Sequence, residues 1–86
     1  MNIKVVFTGR SYPLADNLPE ELTLSEGATL DDAIGALQER LSNEQRLPST
    51  CLVTVSGEHL GTLDNHRART LSDGEELVLI APVAGG

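Results

Sequence analysis

Apolar and polar residues alternate with a period of two near the start of the chain. Ile3, Val5 and Phe7 fall on one side, and Lys4, Val6 and Thr8 on the other. That pattern predicts a strand over residues 3–8. Residues 9–19 hold two prolines, a glycine and Asp16-Asn17, a loop composition. Alternation returns over Glu21-Leu22-Thr23-Leu24-Ser25, with Leu22 and Leu24 inward, and ends at Glu26-Gly27. The expected product is an antiparallel hairpin with a long loop.

The period then changes to that of a helix. Leu30, Ala33, Ile34, Leu37 and Leu41 form one apolar stripe. Thr29 can cap the first turn, and Asp32, three residues on, stands where a capping-box acid belongs. Asp31 and Asp32 also suit the positive end of the helix dipole. Gly35 weakens the helix by about 1 kcal/mol and is expected to let it approach a sheet closely. Ser42-Asn43 and Pro48 stop the helix after about 12 residues.

Cys51–Ser56 predicts a third strand with Cys51, Val53 and Val55 towards the core, followed by a turn at Gly57-Glu58. Residues 58–70 have little pattern and allow one short strand. Asp73-Gly74 is a turn signal. Glu76–Ala81 is a last strand, ended by Pro82. The order β-β-α-β-(β)-β with one helix implies an α+β fold of the β-grasp, or ubiquitin-like, kind, with a mixed sheet of four to five strands. The first and last strands are expected side by side and parallel in the centre, which accounts for their apolar character. Residues 1–81 read as that domain and residues 82–86 as a flexible C-terminal Gly-Gly tail.

Charge narrows the partners. The 86 residues hold 6 Lys+Arg against 13 Asp+Glu, a net charge of −7. Residues 15–44 carry eight of the acids and one base, Arg40. Nucleic acid is disfavoured as a ligand, because phosphate binding needs a basic footprint. An acidic half suits either a solvated surface or attraction to a basic protein. No apolar run reaches the length of a membrane span. The N-terminus lacks a signal-peptide layout, and the single cysteine permits no internal disulfide, so a cytoplasmic location is expected.

Catalytic signatures are scarce. The chain has no G-x-x-x-x-G-K-[ST], G-x-G-x-x-G, H-E-x-x-H or C-x-x-C motif. His59 and His66 read as solvent-exposed residues of a loop, and no metal site or bound cofactor is expected. Cys51 has no visible base beside it and reads as a small buried residue. Arg67 and Arg69 are expected to pair with surface acids. The feature left over is Pro82-Val83-Ala84-Gly85-Gly86, continuing a predicted central strand. Five extended residues at about 3.3–3.6 Å each reach roughly 17 Å. Glycines lack a Cβ and can thread a narrow channel. A terminus whose carboxylate enters another protein's active site has use for such a tail.

The run Thr70-Leu71-Ser72-Asp73-Gly74-Glu75-Glu76-Leu77, continued by Val78-Leu79-Ile80-Ala81-Pro82-Val83-Ala84-Gly85-Gly86, resembles the end of the MoaD/ThiS family of ubiquitin-like sulfur carriers. The Pro-Val-Ala-Gly-Gly ending and Ile3-Lys4-Val5-Val6-Phe7 look most like the MoaD branch, the small subunit of molybdopterin synthase. The chain departs from that pattern at Ser56-Gly57, at Thr8 and in a longer segment before the Asp-Gly turn. The resemblance implies that an E1-like adenylating enzyme, using ATP, activates the Gly86 carboxylate. A sulfur-donor protein then converts it to a thiocarboxylate. The tail enters the large subunit of molybdopterin synthase, which supplies the catalytic groups, so the chain is a carrier rather than an enzyme by itself.

A docking face follows from the alternation in the last strand. If Leu77 and Leu79 face the helix, Val78 and Ile80 face outward, and Val6, Leu52 and Leu60 are the candidates to join them. Three classes stay open. One is a sulfur carrier for molybdenum cofactor synthesis. Another is a carrier for a different product, such as thiamine or cysteine, or a ubiquitin-related modifier. The third is a β-grasp interaction domain whose tail is never activated.

Overall fold

The computed structural model describes residues 1–8, 17–41 and 45–82. Its elements are β1 (Asn2–Thr8), β2 (Glu21–Thr23), α1 (Leu30–Glu39), β3 (Leu52–Val55), β4 (Glu58–Thr62) and β5 (Glu76–Ile80). They form one five-stranded sheet in the order β2-β1-β5-β3-β4. The first and last strands are adjacent, central and parallel, with Val5 opposite Leu77 and Phe7 opposite Leu79. β2 pairs antiparallel with β1, and β3 pairs antiparallel with both β5 and β4. This is the β-grasp arrangement, with α1 over a mixed sheet.

The period of two sorts the strands onto two faces. Ile3, Val53, Val55, Leu77 and Leu79 have no exposed surface, and Leu22 has almost none. From the helix, Leu30, Ala33 and Leu37 close on the same cluster, with Ile34 packed at its edge. Leu41, Leu47 and Leu71 seal it from the connections. The N-terminal ammonium donates to the Leu24 carbonyl at 2.7 Å, holding the β1–β2 hairpin at its open end.

The helix start forms as its residues dictate. Thr29 is extended, its hydroxyl accepts from the Asp32 amide at 3.3 Å, and the Asp32 carboxylate accepts from the Thr29 amide at 2.9 Å. The two bonds satisfy donors that a bare first turn leaves orphaned. The close approach predicted at Gly35 does not occur: the residue is exposed, and a Cβ there would meet nothing within 4 Å.

Two other details differ from the sequence pattern. The β3–β4 turn is Ser56-Gly57, with φ of 49° and 85°, and Glu58 already opens β4. Two consecutive positive φ values mark the two-residue hairpin turn whose twist matches that of paired strands. β4 itself carries a bulge opposite Val53/Thr54 and a glycine, Gly61, at φ 129°. A Cβ at Gly61 would collide with the Asn65 carbonyl oxygen, so only glycine lets the following chain turn back so closely.

Candidate functional site

The sheet face away from α1 is built by the alternate residues of the three central strands. In β1 and β5, Val6 lies opposite Val78 and Thr8 opposite Ile80. In β3, Thr54 lies opposite Val78 and Leu52 opposite Ile80. The apolar members therefore form one patch of Val6, Val78, Ile80 and Leu52. Leu52 is 45% exposed, the one large hydrophobic side chain classed as exposed among the described residues. At one end of the patch Lys4 meets Glu76 at 3.6 Å, an exposed ion pair of small energetic weight.

Leu60 does not belong to this face. It is 5% exposed and part of the hydrophobic core. Its neighbour His59 lies opposite Thr54 on the outer side, so the period of two turns Leu60 inward towards Val53, and the bulge keeps it there.

β5 leads directly to the tail. Beyond Ile80 the Ala81 amide donates to the Thr8 carbonyl at 2.9 Å, extending the β1–β5 ladder by one step. Pro82 is exposed and cannot donate to the ladder. The patch residue Ile80 thus stands two positions before the residue where the tail begins. Val83, Ala84, Gly85 and Gly86, the candidate reactive segment, lie outside the described residues.

Among the described residues no enzyme-like constellation gathers elsewhere. Among the described residues no group of three or more His, Cys, Asp or Glu side chains is placed to hold a metal ion. Cys51 is buried, and burial pushes its thiol above the ordinary value, the opposite of an activated nucleophile. A depression of about 610 Å³ is lined by Lys4–Phe7 and Leu18–Glu20 among the described residues. Lys4 and Glu20 are its ionisable side chains, and they do not form a catalytic pair on any contact seen here.

Two polar clusters hold the connections, and the sequence pattern misses both partners of one of them. Arg69 donates to Glu75 through two nitrogens at 3.0 and 2.8 Å and to Glu58 at 3.1 Å. The hydrogen bonds from Arg69 hold the Glu75 carboxyl down to about 2. Arg69 thus pairs with acids as predicted. Arg67 does not: its guanidinium donates to the His59 carbonyl at 2.9 Å. His66 is not a solvent-exposed loop residue either. Its side chain is 10% exposed, Nε2 lies 2.7 Å from Asp31 Oδ1, and Nδ1 lies 3.0 and 3.1 Å from the Thr62 and Leu63 carbonyl oxygens. A contact between positions 35 apart leaves no local signal in the chain.

The sequence profile of the ThiS family matches residues 5–86, from within β1 through the tail. The chain belongs to the ThiS family. Two relatives align over their full lengths. An uncharacterized protein of Archaeoglobus fulgidus is 32% identical over 91 aligned residues, covering 100% of both chains. The molybdopterin synthase sulfur carrier subunit of Chlamydomonas reinhardtii is 26% identical over 86 residues, again covering 100% of both. Among solved structures, a chain from the protein–protein complex of subunits 1 and 2 of molybdopterin-converting factor of Helicobacter pylori 26695 superposes with a TM-score of 0.57. It is 21% identical and covered in full, as is this chain, so it shows a shared fold. The resemblance of the C-terminal run to the MoaD/ThiS family is therefore kinship.

Proposed function

We propose that this ThiS-family chain is a sulfur carrier that serves as the small subunit of a molybdopterin synthase. The observation that carries the reading is the full-length match to the Chlamydomonas reinhardtii sulfur carrier subunit, taken with a family match that reaches Gly86. The geometry supports it: the central strand β5 runs up to the start of the Pro82–Gly86 segment, and the patch of Val6, Leu52, Val78 and Ile80 lies beside its end.

The chemistry needs nothing from this chain but its end and its shape. A carboxylate is a poor electrophile. An adenylating enzyme joins the Gly86 carboxylate to the AMP part of ATP and releases pyrophosphate. A persulfide on a donor protein attacks the acyl carbon and AMP departs, leaving an acyl disulfide. A thiol then attacks the donor's sulfur, forms a disulfide with it and releases the acyl sulfur as the thiocarboxylate. The resulting thiocarboxylate keeps a nucleophilic sulfur tethered at the tip of the tail. Val6, Leu52, Val78 and Ile80 would dock on the large subunit while Pro82–Gly86 enters its active site. The Helicobacter pylori chain of the same fold, seen with its second subunit, supports that partner.

The test is incubation with an adenylating enzyme, ATP, a persulfide donor and a thiol reductant, followed by intact-mass measurement and then addition of the large subunit with a pterin precursor. Replacement of one oxygen by sulfur, then sulfur transfer, is the expected result. A thiocarboxylate that is not consumed would keep the carrier role and remove the molybdopterin assignment. No change in mass with any such enzyme would leave an interaction domain.

A further inference from the structure

We propose that His66, held as an imidazolium, is a pH-sensitive latch that fastens the β4–β5 connection to the start of α1. The argument is one of donors and acceptors. A neutral imidazole has one N–H and one bare nitrogen. Here both nitrogens face only acceptors: the Asp31 carboxylate at 2.7 Å on one side, and the Thr62 and Leu63 carbonyls at 3.0 and 3.1 Å on the other. Either neutral tautomer aims a lone pair at an oxygen. The doubly protonated ring satisfies both sides and adds a charge-assisted bond to Asp31.

Among the described residues, Asp31 is the charged group in contact with the ring. From α1, Asp31 faces the ring, while Asp32 is turned back onto the Thr29 amide. From the end of β4 the Thr62 carbonyl, and from the next residue the Leu63 carbonyl, face Nδ1. On its own connection, Asp64 and Arg67 are exposed, and Arg67 is directed to the His59 carbonyl. Burial lowers the ring's proton affinity, but the bonds to Asp31 and the two carbonyls outweigh it, and the balance is raised above 6.5.

The latch acts on a defined seam. Close by, the Leu30 amide donates to the Arg69 carbonyl at 2.8 Å, and the Leu71 amide to the Ala28 carbonyl at 2.9 Å. These bonds tie the helix start to the segment that feeds β5. Because the folded-state value is raised, the contribution is complete below 6.5 and is lost as pH rises through the folded value. Alkaline conditions should therefore loosen this seam first.

The experiment is an NMR titration of the imidazole nitrogens in the full chain, with His59→Gln assigning the two rings. His66 is expected to carry protons on both nitrogens at pH 6.5 and to titrate above that value. Asp31→Asn, which spares the Thr29–Asp32 cap, is expected to lower its midpoint. Amide exchange at Leu30 and Leu71, divided by the rate of an unstructured amide, should lose protection across the same pH range. A His66 midpoint at or below 6.5, or one that Asp31→Asn leaves unmoved, would overturn the latch. So would protection at Leu30 and Leu71 that is flat through the titration.

Discussion

Leu79 and Ile80 are neighbours in β5 and face opposite sides of the sheet: Leu79 has no exposed surface, while Ile80 lies half-buried between Thr8 and Leu52 on the outer face. The two positions therefore separate stability from docking. Leu79→Asp puts an unpartnered carboxylate in the core and should cost about 3–5 kcal/mol, a large part of what a small domain has. Ile80→Asp should cost about 1 kcal/mol or less, because its charge reaches water. If the patch docks as proposed, the same change weakens binding to the large subunit about tenfold or more. Thermal melts and a binding titration on both variants check this. An Ile80→Asp variant that melts like Leu79→Asp would show that the outer face is core.

The Arg69–Glu75 pair carries an acid-side prediction. Glu75 is held at about 2 against an ordinary value of 4.5, first by its hydrogen bonds from Arg69. A depressed folded-state value means that the stabilisation is complete above 4.5 and is lost as pH falls towards about 2. Glu75→Gln should lower the melting temperature at pH 7. Its curve should then meet that of the unaltered chain near pH 2. Melting curves across that range decide it; a constant gap between the two would show that the pair contributes packing alone.

How much of this was readable in the chain depends on how local each cause is. β1 follows from an alternation broken only by Val6, β5 from a short apolar run between Asp73-Gly74 and Pro82, and the helix start from Thr29 and Asp32, three residues apart. The central parallel pairing follows from the apolar character of both strands. β4 is hidden because Glu58-His59-Leu60-Gly61-Thr62 has one aliphatic side chain, a bulge and a positive-φ glycine, so no period survives. That gap is why Leu60 reads as part of the docking face when it is core. Val6, Leu52, Val78 and Ile80 are placed together by plain alternation. The grip of Asp31 on His66 depends on the fold bringing α1 against the end of β4, and residue types alone cannot announce it.

Gly61 should tolerate no side chain. Its φ of 129° is outside the range that L residues adopt readily, and a Cβ would strike the Asn65 backbone. Gly61→Ala should destabilise the domain by about 1–3 kcal/mol, with the loss centred on the β4 end and the Thr62–Asn65 turn. Denaturant melts give the magnitude, and amide exchange at Thr62 and Asn65 gives the place. Gly35→Ala is the matched control. With open space around it in a helix, that change should stabilise by up to about 1 kcal/mol.

Deleting Gly86 separates the reactive end from the scaffold. The fully buried side chains run from Ile3 to Leu79, and the last ladder bond described is that of Ala81 to Thr8. The core is built from residues 3–79, so the shortened chain is expected to melt at the same temperature within error. Its new terminus would be Gly85, one residue short of the proposed reaction point. At about 3.3–3.6 Å per residue, the carboxylate would fall short of a site built to receive the full tail. Misplacement on the order of 1 Å can already cost about 10²-fold in rate. Thiocarboxylate formation, read by intact mass, should therefore drop to background while the melt is unchanged. Undiminished activation of the shortened chain would show that Gly86 is not the activated residue.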